Sequence, residues 1–241
     1  VIQLSIATRR FKRYSIEDFE NYIATVKVLR SITNVQIHHT ASPTLNGYRL
    51  AKDKEAVIRA MWTHHTKVRG FRDIAQHFTI APDGVWDGRI LDWDSGGFLG
   101  DQNAGGICIE IIGFYDLGKE SFSGDIAENT HRATAAILTR WPNAEIRFHR
   151  DQPNANKTCP GTAILKPQFE ADVRKYMKPM SSSEALYWHG VSFDWKGWEV
   201  KAKQNKALKL LLDVFAENWE TLDSVSYMGA LLNKIADKLG N

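Results

Sequence analysis

The sequence predicts an α/β fold, a sheet with helices packed on its faces, followed by a small helical appendage. Three observations carry that prediction. Short strand-like runs alternate with helical patterns through the first 180 residues. One run, ICIEII at 107–112, is apolar at nearly every position. The composition then changes beyond Pro179. Alternating strands and helices are the signature of a sheet covered by helices. A near-continuous apolar strand is expected where both faces of a sheet are buried.

The elements follow in order. Residues 14–29 read as a helix opened by Ser15, with Glu17 and Asp18 in its first turn, where carboxylates meet the positive end of the helix. Residues 35–39 form a short strand. Residues 53–66 are helical, with Ala56, Ala60 and His64 on one side and no breaker. Residues 76–80, the turn Pro82-Asp83-Gly84 and Val85-Trp86 read as strand, turn and strand. Residues 107–112 are the central strand, interrupted by Glu110 alone. Residues 126–141 form a helix stopped by Pro142, since proline cannot continue one. Residues 145–149 make another strand, and 169–176 a final helix.

The boundary near residue 180 rests on composition. All 7 prolines lie at or before Pro179, no arginine follows Arg174, and Ser181-Ser182-Ser183 comes next. That is a linker signal, so residues 1–180 and 181–241 are read as two domains. In the second, Leu208, Leu211, Leu212, Phe215 and Trp219 recur at helical spacing, as do Met228, Leu231, Leu232, Ile235 and Leu239. Two amphipathic helices follow from that pattern.

Composition excludes several classes. A net charge of +3 is too small for the concentrated basic face of a nucleic-acid binder. No stretch approaches the roughly 18 consecutive apolar residues of a membrane span. Residues 1–13 are short on apolar residues and end in Arg9, Arg10, Lys12 and Arg13, so no signal peptide is legible there. Two cysteines, Cys108 and Cys159, do not make a disulfide framework. Their settings point to separate roles: Cys108 lies in an apolar run, Cys159 in a polar loop.

Eight histidines are present, and most histidines are surface or satisfied core residues. Context singles out two. His38 ends a strand and precedes Thr-Ala-Ser-Pro. His149 ends another, and Cys159 follows within Asn156-Lys157-Thr158-Cys159-Pro160-Gly161. Imidazole and thiolate are good zinc ligands, and three of them with an open fourth position mark a catalytic site.

The words around these residues are more specific. Ile37-His38-His39-Thr40-Ala41, Gly70-Phe71-Arg72-Asp73-Ile74-Ala75-Gln76-His77-Phe78, Asp83-Gly84 with Gly88-Arg89, Gly106-Ile107-Cys108-Ile109-Glu110, and His149 with Lys157-x-Cys159-Pro160-Gly161 occur in that order. Together they resemble the zinc-dependent N-acetylmuramoyl-L-alanine amidases, which include phage lysozyme-type amidases and peptidoglycan recognition proteins. The resemblance spans roughly residues 30–178.

It implies a central mixed β-sheet flanked by helices, one zinc ion and peptidoglycan as partner. The reaction implied is cleavage of the amide between N-acetylmuramic acid and L-alanine of the stem peptide, at the bacterial cell wall. His38, His149 and Cys159 match the metal ligands. Adjacent strand residues face opposite ways, so His39 is not expected to share the ion with His38. Glu110 matches a general acid/base of some members and Lys157 a lysine beside the third ligand. Many members carry Tyr where this chain has Gln76, which leaves proton transfer to Glu110.

Other expectations are plainer. His65 and Trp93 join Gln76 as substrate-side residues. His77 either faces the cleft or packs, His131 lies at the surface, and Cys108 is a buried small hydrophobe. The plainer role for Glu110 is a structural salt bridge, for example with Arg72 or Arg147. The Gly-rich stretch holding Asp92, Asp94 and Asp101 is expected to be a mobile groove wall. Residues 181–241 fit wall targeting, an interdomain brace or a dimer contact, with targeting favoured. A second reading of the whole chain is a peptidoglycan-binding module without hydrolysis.

Overall fold

Ser15 begins the first helix for a simple reason: its side-chain oxygen accepts the Asp18 N–H at 3.1 Å, satisfying a donor that the first turn leaves free. The computed structural model describes residues 9–177. Within them a two-residue strand β1 (Arg13–Tyr14) precedes α1 (Ile16–Thr25). The helix stops at Thr25 rather than Leu29. Val26 takes extended backbone (φ −61°, ψ 136°), and the Leu29 N–H is bound by Asp92 Oδ1 at 2.7 Å.

There follow β2 (Asn34–His39), α2 (Leu45–Leu50), α3 (Lys54–Thr63), β3 (Phe78–Ala81), β4 (Gly84–Asp87), β5 (Gly106–Ile111), α4 (Asp125–Arg140), β6 (Glu145–Phe148) and α5 (Lys166–Arg174). Asp53 caps α3 through the Ala56 N–H at 2.9 Å. Beyond Thr63 the helix widens into a π-turn, His64–Val68. Helix α5 starts earlier than residue 169 because Pro167 occupies its first turn, the position where proline's missing N–H costs nothing. The short β1 and α2 were not legible, since neither is long enough to show a period.

The six strands form one mixed sheet in the order β1-β4-β3-β5-β2-β6. Strands β3, β5, β2 and β6 are parallel, and β4 pairs antiparallel with both of its neighbours, β3 and β1. This is the mixed sheet flanked by helices that the sequence implied. The residues after the described region, which hold the expected helical domain, lie outside it.

Register explains how the sheet has two buried faces and one polar row. On one face Val35, Ile37, Ile107, Ile109, Ile111, Phe78, Ile80, Ile146 and Phe148 pack with Phe19, Ile23, Ile137, Phe169 and Val173 from α1, α4 and α5. Fully burying one such side chain contributes about 1.5–3 kcal/mol. On the other face, His38 pairs with Glu110, Glu110 with Thr79, and Thr79 with Trp86 across four neighbouring strands. Toward the hairpin that face is apolar, with Tyr48, Ile58, Met61 and Trp86 packed together. Toward β2 it is polar, and the candidate site lies there.

Candidate metal centre and cleft

Each candidate ligand is delivered by a different local device. His38 is the fifth residue of β2, on the polar face. His149 follows the last residue of β6 and opens a 3-10 turn at His149–Asp151. Both strands are parallel neighbours, so their C-terminal ends lie side by side and bring the imidazoles to a centroid separation of 4.6 Å. Cys159 comes from the loop after that turn, with Sγ 3.5 Å from His38 Nδ1. One ligand atom from each of His38, His149 and Cys159 lies within 4.8 Å of the others.

The chemistry of this donor set suits a cation. Zinc–sulfur and zinc–nitrogen bonds of about 2.3 and 2.05 Å at a tetrahedral angle place the two atoms roughly 3.6 Å apart, close to the observed 3.5 Å. Burial, then the charges of His149 and His39, hold His38 well below its usual range. Burial and then Lys157 lower His149. Both rings are therefore neutral, the form that ligates. Burial pushes the Cys159 thiol up, so a free thiolate there needs a cation beside it. The His39 N–H already points at Sγ from 3.3 Å. Among the described residues these three side chains fit zinc, and no other such group of His, Cys, Asp and Glu is found.

His39 faces the opposite way. Its Nδ1 accepts the Tyr115 N–H at 3.2 Å, and its ring packs against Phe114 at 5.6 Å.

A cleft of about 900 Å³ opens beside the cluster, lined by Thr40, Ser42 and Pro43, by Ala56, Val57, Ala60 and Met61 of α3, and by His64, His65 and Glu110. Glu110 is half-buried at its floor, and burial pushes its carboxyl up to about 8. Neither arginine named as a salt-bridge partner takes that part: Arg147 pairs with Glu145 at 3.1 Å, and Arg72 lies 3.3 Å over the Trp93 ring. His65 Nδ1 accepts the Ala75 N–H at 3.2 Å, so its neutral tautomer carries the proton on Nε2. Burial, followed by neighbouring positive charges, lowers it to about 4, and it stays neutral at physiological pH.

Three candidates sit differently. Gln76 is fully buried, outside the cleft lining, and donates to Thr79 Oγ1 at 2.9 Å while its own Oε1 lacks a partner. Trp93 is half-buried beneath Arg72 and does not line the cleft. Lys157 is exposed, and its charge is felt at His149.

Several readings change. His131 is buried, not at the surface: it is wedged edge-on between Phe122 and Phe169. His77 is buried and brackets two segments, its Nδ1 accepting the Cys108 N–H and its Nε2 donating to the Trp93 carbonyl, both at 2.9 Å. The Gly-rich wall is pinned. Arg89 donates to the Ile74 and Asp94 carbonyls at 2.9 and 2.8 Å, and Asn103 ties the Phe98 N–H and carbonyl at 2.8 and 3.0 Å.

That wall contains what sequence reasoning missed. Phe98 lies 5.0 Å from the His38 ring and 5.6 Å from the His149 ring. Gly97 presses on the same imidazole: a Cβ there would sit 2.7 Å from both His38 Nε2 and Cys108 Sγ. The Gly96-Gly97 pair was the available signal, since paired glycines mark a close approach. Gly97→Ala is expected to tilt the His38 ring and weaken metal binding at least tenfold in a folded protein, measured by competition with a chelator. Unaltered affinity would mean that the wall yields instead.

The chain is similar to known proteins. The sequence profile of the N-acetylmuramoyl-L-alanine amidases matches residues 29–162, more than half of the chain, and the protein belongs to that family. N-acetylmuramoyl-L-alanine amidase of Sus scrofa is 29% identical over 149 residues, covering 57% of this chain and 24% of the relative. The Homo sapiens protein of that name is 28% identical over 149 residues, covering 57% and 25%. The chain thus spans about a quarter of the length of these relatives. Among solved structures, Drosophila PGRP-LB shares 19% identity at a TM-score of 0.47 (61% of this chain, 85% of that one). The Ph2119 endolysin of a Thermus scotoductus bacteriophage shares 18% at 0.46 (65% and 91%).

Proposed function

We propose that this protein is a zinc-dependent peptidoglycan hydrolase that cleaves the amide between N-acetylmuramic acid and L-alanine of the stem peptide. The observation that carries the reading is the convergence of His38, His149 and Cys159, with His38 paired across β2 and β5 with Glu110, which lines a cleft. Zinc, when bound, supplies Lewis acidity that polarises a carbonyl and brings the ionisation of water toward neutral pH.

The protein's own groups do the rest. The cleft holds the stem peptide against the apolar side of α3, with the neutral His65 Nε2–H available to a peptide carbonyl. With a cation bound beside Glu110, the burial that holds its carboxyl neutral is offset and the carboxylate is favoured. That carboxylate accepts a proton from water as the water oxygen bonds to the amide carbon. Glu110 then returns that proton to the departing nitrogen as the C–N bond breaks. Lys157, on the loop of Cys159, offers positive charge to the oxygen that becomes negative. Gln76, buried against Thr79, acts by supporting this part of the sheet, and Trp93 with Arg72 forms a stacked rim. In this reading the chain works at the bacterial wall, and residues 181–241 serve as a wall-targeting segment.

The test uses purified sacculi of several wall types and metal-replete protein carrying one zinc per chain. Sacculi should lose turbidity, and a chelator should stop the loss. Sedimentation of the protein with sacculi that stay intact would instead establish the binding-only module.

A further inference from the structure

We infer that Arg150 is a positioning residue that sets the gap between His149 and Cys159 before any metal arrives. The inference rests on the proposed zinc reading and concerns how the ligand set is held.

Two of the three candidate ligands lie on one short stretch of chain, and most residues between them, including Pro153, Asn154, Asn156 and Lys157, are exposed. Little packing therefore fixes the path of that loop, so the place of the sulfur is decided at the loop's ends. Arg150 controls both ends at once. It follows His149 directly, and its backbone N–H donates to the Cys159 carbonyl at 2.8 Å. Its guanidinium then forks across the turn beyond the cysteine: Nη1 donates to the Gly161 carbonyl and Nη2 to the Ile164 carbonyl, each at 2.7 Å. The fork itself is held over the Phe148 ring at 4.9 Å, on the strand that delivers His149.

A guanidinium is rigid and planar, so two parallel bonds fix direction as well as distance. Lysine offers a point charge on a flexible stem, so it can contact these carbonyls but fixes neither their direction nor their spacing. From the other side, Asp116 accepts the Thr158 hydroxyl and the Thr162 N–H, both at 2.9 Å. The segment bearing the thiol is thus gripped from two directions, and Arg150 is the grip that also carries a ligand's neighbour.

The test compares full-length wild type, Arg150→Lys, Arg150→Ala and a control, Arg132→Ala. Arg132 is similarly networked, binding Glu17 and Glu20 at 2.9 and 2.8 Å, away from the site. Zinc affinity is read by chelator competition, the cobalt-substituted protein's sulfur-to-metal charge-transfer band reports the Cys159 bond, and melting is followed without metal. Arg150→Lys should lose about 10–100-fold in zinc affinity, the usual cost of removing a group that orients a ligand, and its thiolate band should weaken. Arg132→Ala should melt earlier yet keep wild-type affinity. If Arg150→Ala does not fold, the lysine variant alone decides. Wild-type affinity and spectrum in Arg150→Lys, or an equal affinity loss in Arg132→Ala, would overturn the inference. Failure of the wild type itself to bind zinc would instead refute the zinc reading.

Discussion

Cys159→Ser is expected to release the metal from an otherwise folded protein. A hydroxyl stays protonated where a cation can strip a thiol, so serine offers a poor ligand, and two imidazoles remain. The loss should exceed the roughly 10–100-fold that removing an outer partner costs. The site should tolerate the smaller oxygen structurally, because the His39 N–H that now points at Sγ from 3.3 Å can donate to it instead. Elemental analysis after dialysis should find one zinc per chain in the wild type and almost none in the variant, while both melt within a few degrees of each other without metal. Full zinc occupancy in Cys159→Ser would remove the sulfur from the ligand set.

Glu110→Gln is the second large effect, and it separates chemistry from metal binding. The amide keeps the shape of the carboxylate but cannot accept and return a proton, so turnover of sacculi should fall by about 10²–10⁴ with zinc retained. Near-normal activity would remove Glu110 from proton transfer. The same variant has a signature in the metal-free protein. Burial raises the native carboxyl to about 8, against about 4.3 in an unfolded chain. Between those values the native state binds more protons than the unfolded one, so this group's contribution to stability falls as pH rises. Glutamine carries no such penalty. Metal-free Glu110→Gln should therefore match the wild type at pH 4 and melt progressively higher than it toward pH 8. A variant less stable than the wild type at pH 8 would show that the carboxylate has a compensating partner.

What the sequence disclosed depended on the length scale of each signal. The central strand was legible because burial on both faces leaves an apolar run, and Glu110 stood out against it. His38, His149 and Cys159 were legible from the words around them, although no spacing connects His38 to residues over a hundred positions away; the parallel pairing of β2 and β6 does that. The starts of α1 and α3 were legible because Ser15 and Asp53 cap through their own side chains. The first helix's end was not, because the Leu29 contact with Asp92 is tertiary. The wall over His38 was read from its glycines, which suggest freedom, whereas Arg89 and Asn103 tie it through backbone groups five residues away and His77 through the Trp93 carbonyl. Arg150 gave no local sign, since its value lies in carbonyls that only the folded turn presents to it.

The most direct test of the central claim is to identify the bond that is cut. Sacculi digested with the zinc-loaded protein should yield new amino termini of L-alanine and glycan strands free of stem peptide, with no new reducing sugar ends. New termini at another residue, cut glycan, or intact sacculi in the presence of fully zinc-loaded protein would contradict it.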